Sequence, residues 1–304
     1  MVRGLVRRST DDLGNFWVDL LRTIFRVLVP IAVLGCLVLM AGGVVQGLGG
    51  GHTVTAVAGT AQQSIPYGPV ASWETLKLFS GDGGGVLNAN SAHPFENPTA
   101  WTNTFEIVLM LLIPTACIRM FGRLIGSLKQ SWTLLTVVGI LFALLLAAGT
   151  LARSAHTGTV TEAVGGQTRF GIPGSTLFGV SATASADGAA NSSYDSFSSL
   201  GGGVLLAAMM LGEIAPGGTG SGLYGLIVVV LVAVFIGGLM VGRTPEYLRK
   251  RIGYAEMRRV VVYALIPPTV ILACSAIALA TGNAQSSMGN TGAHGLTSAP
   301  SPTG

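Results

Sequence analysis

The chain has 304 residues, of which half are apolar, 44 are glycine and only 10% are charged, with a formal net charge of +4. A soluble domain built of helices keeps a polar face on each, so these proportions exclude one, and the excess of base is too small and too scattered for a nucleic-acid surface. Five apolar runs reach or approach the roughly 20 residues that cross a bilayer: Ile24 to Val45, Phe105 to Met120, Trp132 to Leu151, Leu223 to Val241 and Val260 to Ala280.

Residues 1–23 precede the first run as a basic, amphipathic segment. STDDLGNFWVDL separates the early arginines from the apolar stretch, and that stretch is longer than a signal-peptide core, so the first span is expected to be retained. Basic residues near span ends stay cytoplasmic. Arg3, Arg7, Arg8, Arg22 and Arg26 lie at the first run, Arg119, Arg123 and Lys129 between the second and third, and Arg243, Arg249, Lys250, Arg251, Arg258 and Arg259 between the fourth and fifth. Only Lys77, Arg153 and Arg169 fall elsewhere, which predicts a cytoplasmic N-terminus. Cys36, Cys117 and Cys274 each lie in an apolar run without paired spacing, so neither a disulfide framework nor a metal centre is indicated.

The outer segments Gly47 to Asn103 and Ala152 to Gly222 are long for connections and share an internal order. ASWETLKLFS precedes GDGGG and STLFGVSATAS precedes ADGAA, each a short mixed helix followed by a small-residue turn with Asp-Gly at Asp82-Gly83 or Asp187-Gly188. The repeat length is about 105 residues. A helix of this size dips into a membrane rather than crossing it, and irregular backbone at membrane depth is tolerated where it lines a watery path. Carbonyls turned to a common axis replace the hydration shell of a monovalent cation. The residues leave two readings open at this point, a re-entrant pore lining or an ordinary outer loop whose Gly, Asn and Pro make turns.

SGDGGGVLNANSAHPFENPTAWTN, residues 80–103, closely resembles the potassium-binding subunit family of the Kdp-type potassium-transporting P-type ATPase, KdpA. The resemblance continues through GNFWVDLLR (14–22), GVVQGL (43–48), GPVASWETLK (68–77), YDSFSSLGG (194–202), GE (212–213), GGTGSGLYG (217–225), GLMVGRTPEYLRKRI (238–252) and AHGLTS (293–298). It implies an all-α integral membrane protein of potassium-channel-like repeats, each a helix, a re-entrant pore helix, a filter loop and a helix. One filter falls on Gly81, Asp82, Gly83 and Gly84 and the next on Ala186, Asp187, Gly188 and Ala189, with K+ held as substrate by their carbonyls and no cofactor. The broken inner helix implies a gate-like loop at Gly217, Gly218, Gly220 and Gly222. The implied organisation is 1–23 as a cytoplasmic N-terminal segment, 24–129 as the family's second repeat, 130–252 as the third, and 253–304 as the first helix of an incomplete fourth repeat and a tail.

By the same resemblance the chain supplies ion entry and selectivity in a bacterial inner membrane, beside an ATP-hydrolysing P-type subunit, a single-span accessory subunit and a short one-span peptide. The family chain is nearly twice as long, so the first and fourth filters are missing, and two loops are not expected to close a fourfold ring. A second departure is aspartate in both filters where an uncharged polar residue is expected. From the residues alone a stand-alone cation channel or secondary potassium transporter is the alternative, and a scaffold without transport a third.

The remaining signals are local. Glu213 ends the apolar run VLLAAMMLG, where a carboxylate is costly, and is expected to face the ion path or to sit at the interface. GSGLYG, Gly220 to Gly225, matches the dinucleotide-binding glycine pattern but runs into an apolar stretch. Glu74 and Lys77 are one turn apart and are placed to pair. His93 and Glu96 have a metal-like spacing without further ligands, so hydrogen bonding behind the filter is the expectation. RTPEYLRKRIGYAEMRR reads as an amphipathic surface for anionic membrane lipid or a partner. Neither a phosphate-cradling glycine loop nor a nucleophile triad occurs, so catalysis by this chain is not expected.

Overall fold

The computed structural model describes residues 2–6, 14–55, 62–65, 67–154, 169–212, 214–248 and 250–280. It is mostly helical, with five helical stretches long and apolar enough to cross a membrane: Phe16–Ala41, Ala100–Leu124, Leu128–Ser154, Ser221–Met240 and Tyr254–Ile277. After a short helix α1 (Val2–Val6), the first stretch begins at Phe16 rather than Ile24, because the Asn15 side chain accepts the Trp17 and Val18 N–H groups and caps α2 (Phe16–Thr23). A π-helical turn, Ile24–Leu28, joins it to α3 (Val29–Ala41). Pro30 stands in the first turn of α3 and has no N–H to give the preceding turn, which the wider turn absorbs.

A hairpin of β1 (His52–Thr55) and β2 (Gln62–Ile65) leads to the short helix α4 (Val70–Ser80). The long helix α5 (Ala100–Leu124) starts at a capping box in which Thr99 and Thr102 each accept the other's N–H, at 3.1 and 3.0 Å. Helix α6 (Leu128–Ser154) returns, and the short helix α7 (Gly171–Ala184) follows. Helices α8 (Ser199–Met210) and α9 (Ser221–Met240) are separated by an irregular stretch. A tight β3–β4 pair, Glu246–Tyr247 with Lys250–Arg251, precedes α10 (Tyr254–Ala280), so the basic RTPEYLRKRI stretch folds as a hairpin ahead of the last helix.

The two halves share one packing plan. Helix α4 lies between α3 and α5, and α7 packs against α5, α6 and α8. Leu78, Ile107, Met110, Phe178 and Ala182 form the apolar core that holds both short helices to α5. At one end of the bundle the basic-rich segments meet. Lys250 Nζ donates to the Gly4 carbonyl at 2.8 Å, Gln130 donates to the Tyr247 hydroxyl, and Arg3 pairs with Asp19.

The three basic residues that break the charge asymmetry are all bound into the fold. Arg153 donates to Ser175 Oγ at 2.7 Å and lies over the Phe197 ring, 4.0 Å from its centroid. Arg169 donates to the Ala92 carbonyl at 2.7 Å and lies over Phe170. Lys77 is buried among carboxylates. Hydrogen bonds and cation–π contact hold Arg153 and Arg169, and ion pairs hold Lys77, so none of the three is the free surface charge to which the topology rule applies.

Candidate functional site

The two short helices end in the same way and at the same place. Gly81, with a φ of +79°, donates its N–H to the Lys77 carbonyl at 3.2 Å, and Asp82 N–H reaches that carbonyl at 3.4 Å. Ala186, with a φ of +53°, donates to Thr183 O at 3.3 Å, and Asp187 N–H reaches Ala182 O at 2.8 Å. Asp82 and Asp187 therefore occupy equivalent positions, five residues after the carbonyl that closes each helix. The loops then meet. A Cβ at Gly83 would overlap the Gly188 Cα and carbonyl carbon and lie 2.7 Å from the Ala189 nitrogen, and one at Gly188 would lie 3.0 Å from Asp82 O. Backbone touches backbone at this point.

The stretch between α8 and α9 closes the arrangement. Gly217 N–H donates to Ala184 O and Thr219 Oγ1 to Phe79 O, both at 3.1 Å, so this loop touches the last turn of each short helix. Gly217 and Gly220 have φ values of +86° and +90°, and Gly218 lies beside the Ser185 carbonyl. Gly222 in the first turn of α9 packs on the backbone of Gly217. Glu213 lies outside the described residues. The Gly220–Gly225 pattern is entered from a turn, not a strand, and opens an apolar helix, which is not a dinucleotide-binding arrangement. Two helix C-termini, each carrying partial negative charge, converge where the two loops touch backbone to backbone.

The equivalent aspartates differ in direction. Asp82 is exposed. Asp187 is 2% exposed, and its Oδ1 accepts the Ala189 N–H at 2.9 Å. Burial pushes the Asp187 carboxyl up to about 7, against the opposing effect of the Ala189 N–H. The Tyr194 hydroxyl donates to Ala189 O at 2.7 Å, fixing the end of the second loop.

Behind the first loop lies a buried ion cluster. Lys77 Nζ is 2.6 Å from Glu74 Oε2 and 3.8 Å from Glu96 Oε2, with all three side chains 1% exposed. Ser91 donates to Glu74, and Glu96 Oε1 accepts the Leu87 N–H at 3.1 Å. His93 Nδ1 accepts the Phe95 N–H at 3.1 Å. Asn103 bridges the halves, its Oδ1 accepting from Asn97 at 3.0 Å and from Asn191 at 2.7 Å.

Sequence reasoning brought together Gly81–Gly84, Ala186–Ala189 and Gly217–Gly222, and the structure places all three in contact. It did not single out Tyr194, Asn103 or the Lys77–Glu96 pair. A signal for Lys77 was present, because it and Glu74, one turn apart, are the charged residues of a short helix otherwise made of apolar and hydroxyl side chains. No comparable signal joined Asn103 to Asn191, which are 88 residues apart.

Fold and site together define a class, a multi-pass helical membrane protein in which two short helices deliver small-residue Asp-Gly loops to a shared point. The chain belongs to the KdpA family, described as the potassium-transporting ATPase A subunit, whose family model matches residues 1–299. It is similar to the potassium-transporting ATPase potassium-binding subunit of Frankia alni, 49% identical over 291 residues, covering 94% of this chain and 49% of that relative. Subunits of the same name in Streptomyces coelicolor and Mycobacterium avium are 49% and 48% identical, each covering 97% of this chain and 54% of the relative. The chain thus spans about half the length of the curated relatives it matches.

Proposed function

We propose that this chain forms the potassium-binding, channel-like part of an ATP-driven potassium uptake pump, taking K+ from the outer side on the carbonyls of Gly81–Gly84 and Ala186–Ala189. The loop Gly217–Gly222 beneath them acts as the constriction through which the ion passes toward an ATP-hydrolysing P-type subunit. A single-span accessory subunit and a short one-span peptide complete the assembly, and this chain itself hydrolyses no ATP. The observation that carries the reading is the backbone contact of the two loops, Gly83 on Gly188, at the C-terminal ends of two buried short helices. It is joined by the family's membership and by the names of the relatives.

The test is cation-dependent protection of the loops. The full chain in lipid nanodiscs is exchanged into heavy water in K+, Rb+, Na+ or Li+ at equal ionic strength. Amides of 81–84 and 186–189 are expected to exchange more slowly in K+ and Rb+ than in Na+ and Li+. Equal exchange in all four salts overturns the reading.

A further inference from the structure

The ion cluster behind the first loop has more acid than it needs for structure. Three carboxylates, Glu74 and Glu96 with Glu106 of α5, share the surroundings of one ammonium, and all are fully buried. Neither Glu106 oxygen meets a hydrogen-bond partner among the described residues. Further titratable groups lie within electrostatic reach among the described residues: Arg169 of Glu106, Asp187 of Lys77 and Glu74, and His93 of Glu96. Replacing such a cluster by apolar side chains is often neutral or stabilising, so its presence calls for a reason other than stability.

That reason lies in what the cluster touches. The Lys77 carbonyl accepts the N–H groups that begin the first loop, at Gly81 and Asp82. The Lys77 ammonium draws in Glu96, whose Oε1 takes the N–H of Leu87 and whose Oε2 lies 2.9 Å from where a Cβ at Gly85 would stand. One residue thus grips both ends of the glycine loop, main chain at the start and side chain, through Glu96, at the finish. In the second loop the equivalent carbonyl belongs to Ala182, which has no side chain to do this, and a neutral tyrosine holds the far end.

We propose that Lys77 is a positioning residue that sets the width of the first loop through Glu96, and so sets its discrimination between K+ and smaller cations. A glycine-rich strand unpinned at one end contracts around a smaller ion, and a strand pinned at both ends does not. The inference rests on the reading of Gly81–Gly84 as an ion-selective loop.

The experiment compares the full wild-type chain in nanodiscs with K77M, K77R and E96Q. E96Q keeps an acceptor for the Leu87 N–H while removing the charge that Lys77 holds, and serves where K77M does not fold. Exchange of amides 81–87 is expected to speed up about tenfold in K77M and E96Q, with 186–189 unchanged and K77R restoring most of the protection. K+ protection of the loop over Na+ is expected to fall severalfold in the same two variants. Unchanged exchange at 81–87, or an equal rise in both loops, overturns the proposal. A wild-type chain without K+ preference sinks the ion-selective reading instead, while the contrast between the loops still decides whether Lys77 positions the backbone.

Discussion

The first and second loops reach the same turn geometry by opposite chemistry. The first carries left-handed glycines at 81, 83 and 84 and is held by buried ions at Glu74, Lys77 and Glu96. The second has one left-handed alanine, Ala186, and is held by Asp187 turned back on Ala189 and by a tyrosine hydroxyl. The helices leading in differ likewise. Ser175, Ser181, Thr183 and Ser185 at α7 return their hydroxyls to carbonyls four residues back, whereas Glu74 and Lys77 of α4 pair with each other and also engage Ser91 and Glu96, which follow the loop. A turn supported locally survives the loss of one bond. A turn supported by a buried ion network fails when one member is removed, because the remaining charges stay desolvated and unpaired.

The sharpest way to break this comparison is at the contact between the loops. Gly83→Ala places a methyl group into the Gly188 backbone at a φ of +72°, and neither strand has a side chain that could yield. It is expected to abolish cation-selective protection of both loops, whereas Gly188→Ala, without a positive φ and with only Asp82 O close by, is expected to weaken it. Equal effects from the two would mean that the loops do not abut in this way.

Next in size is K77M, expected to cost about 3–5 kcal/mol in chemical unfolding in detergent, since it leaves Glu74 and Glu96 buried without a counter-charge. A loss as small as that of a surface substitution would remove the distinction between the two kinds of support.

The pH dependence sharpens the comparison at Asp187. Its carboxyl titrates near 7 in the folded chain and near 3.8 when unfolded, so the folded state holds the proton more tightly. The stabilisation is complete below the unfolded value and is lost as pH rises through the folded one, so stability should fall between about pH 4 and 7. Asp187→Asn should make that slope shallower without removing it, because burial also pushes the Glu74 carboxyl up to about 7, and Asp82→Asn, which removes a neighbouring charge that helps to raise Asp187, should change it less. Unfolding followed across this range with both variants decides the point.

Smaller still is Tyr194→Phe, which deletes the bond to Ala189 O and is expected to cost about 1 kcal/mol. Asp82→Asn, at an exposed side chain, is expected to change stability by about 0.5 kcal/mol or less. Thermal unfolding of the two variants side by side orders them, and an Asp82 effect exceeding that of Tyr194 would contradict the assignment of the buried and exposed ends.

The amino-acid sequence by itself determined the spans, the two short helices with their Asp-Gly turns, and the break between α8 and α9. These depend on transfer energies summed along contiguous residues and on glycine at particular steps of the chain, both of which are local. The start of the first stretch at Phe16 was also written locally, in Asn15 and Pro30, though the amphipathic run α2 disguised it as a separate segment. Only the tertiary structure decided that Asp187 turns inward while Asp82, in the same local context of a small residue and a glycine, points out. It alone joined Lys77 to Glu96, and Asn103 to Asn191. The reason is that a buried polar group takes whichever partner the packing of distant segments brings within about 3 Å, and identical local turns meet different partners on the two sides of α5.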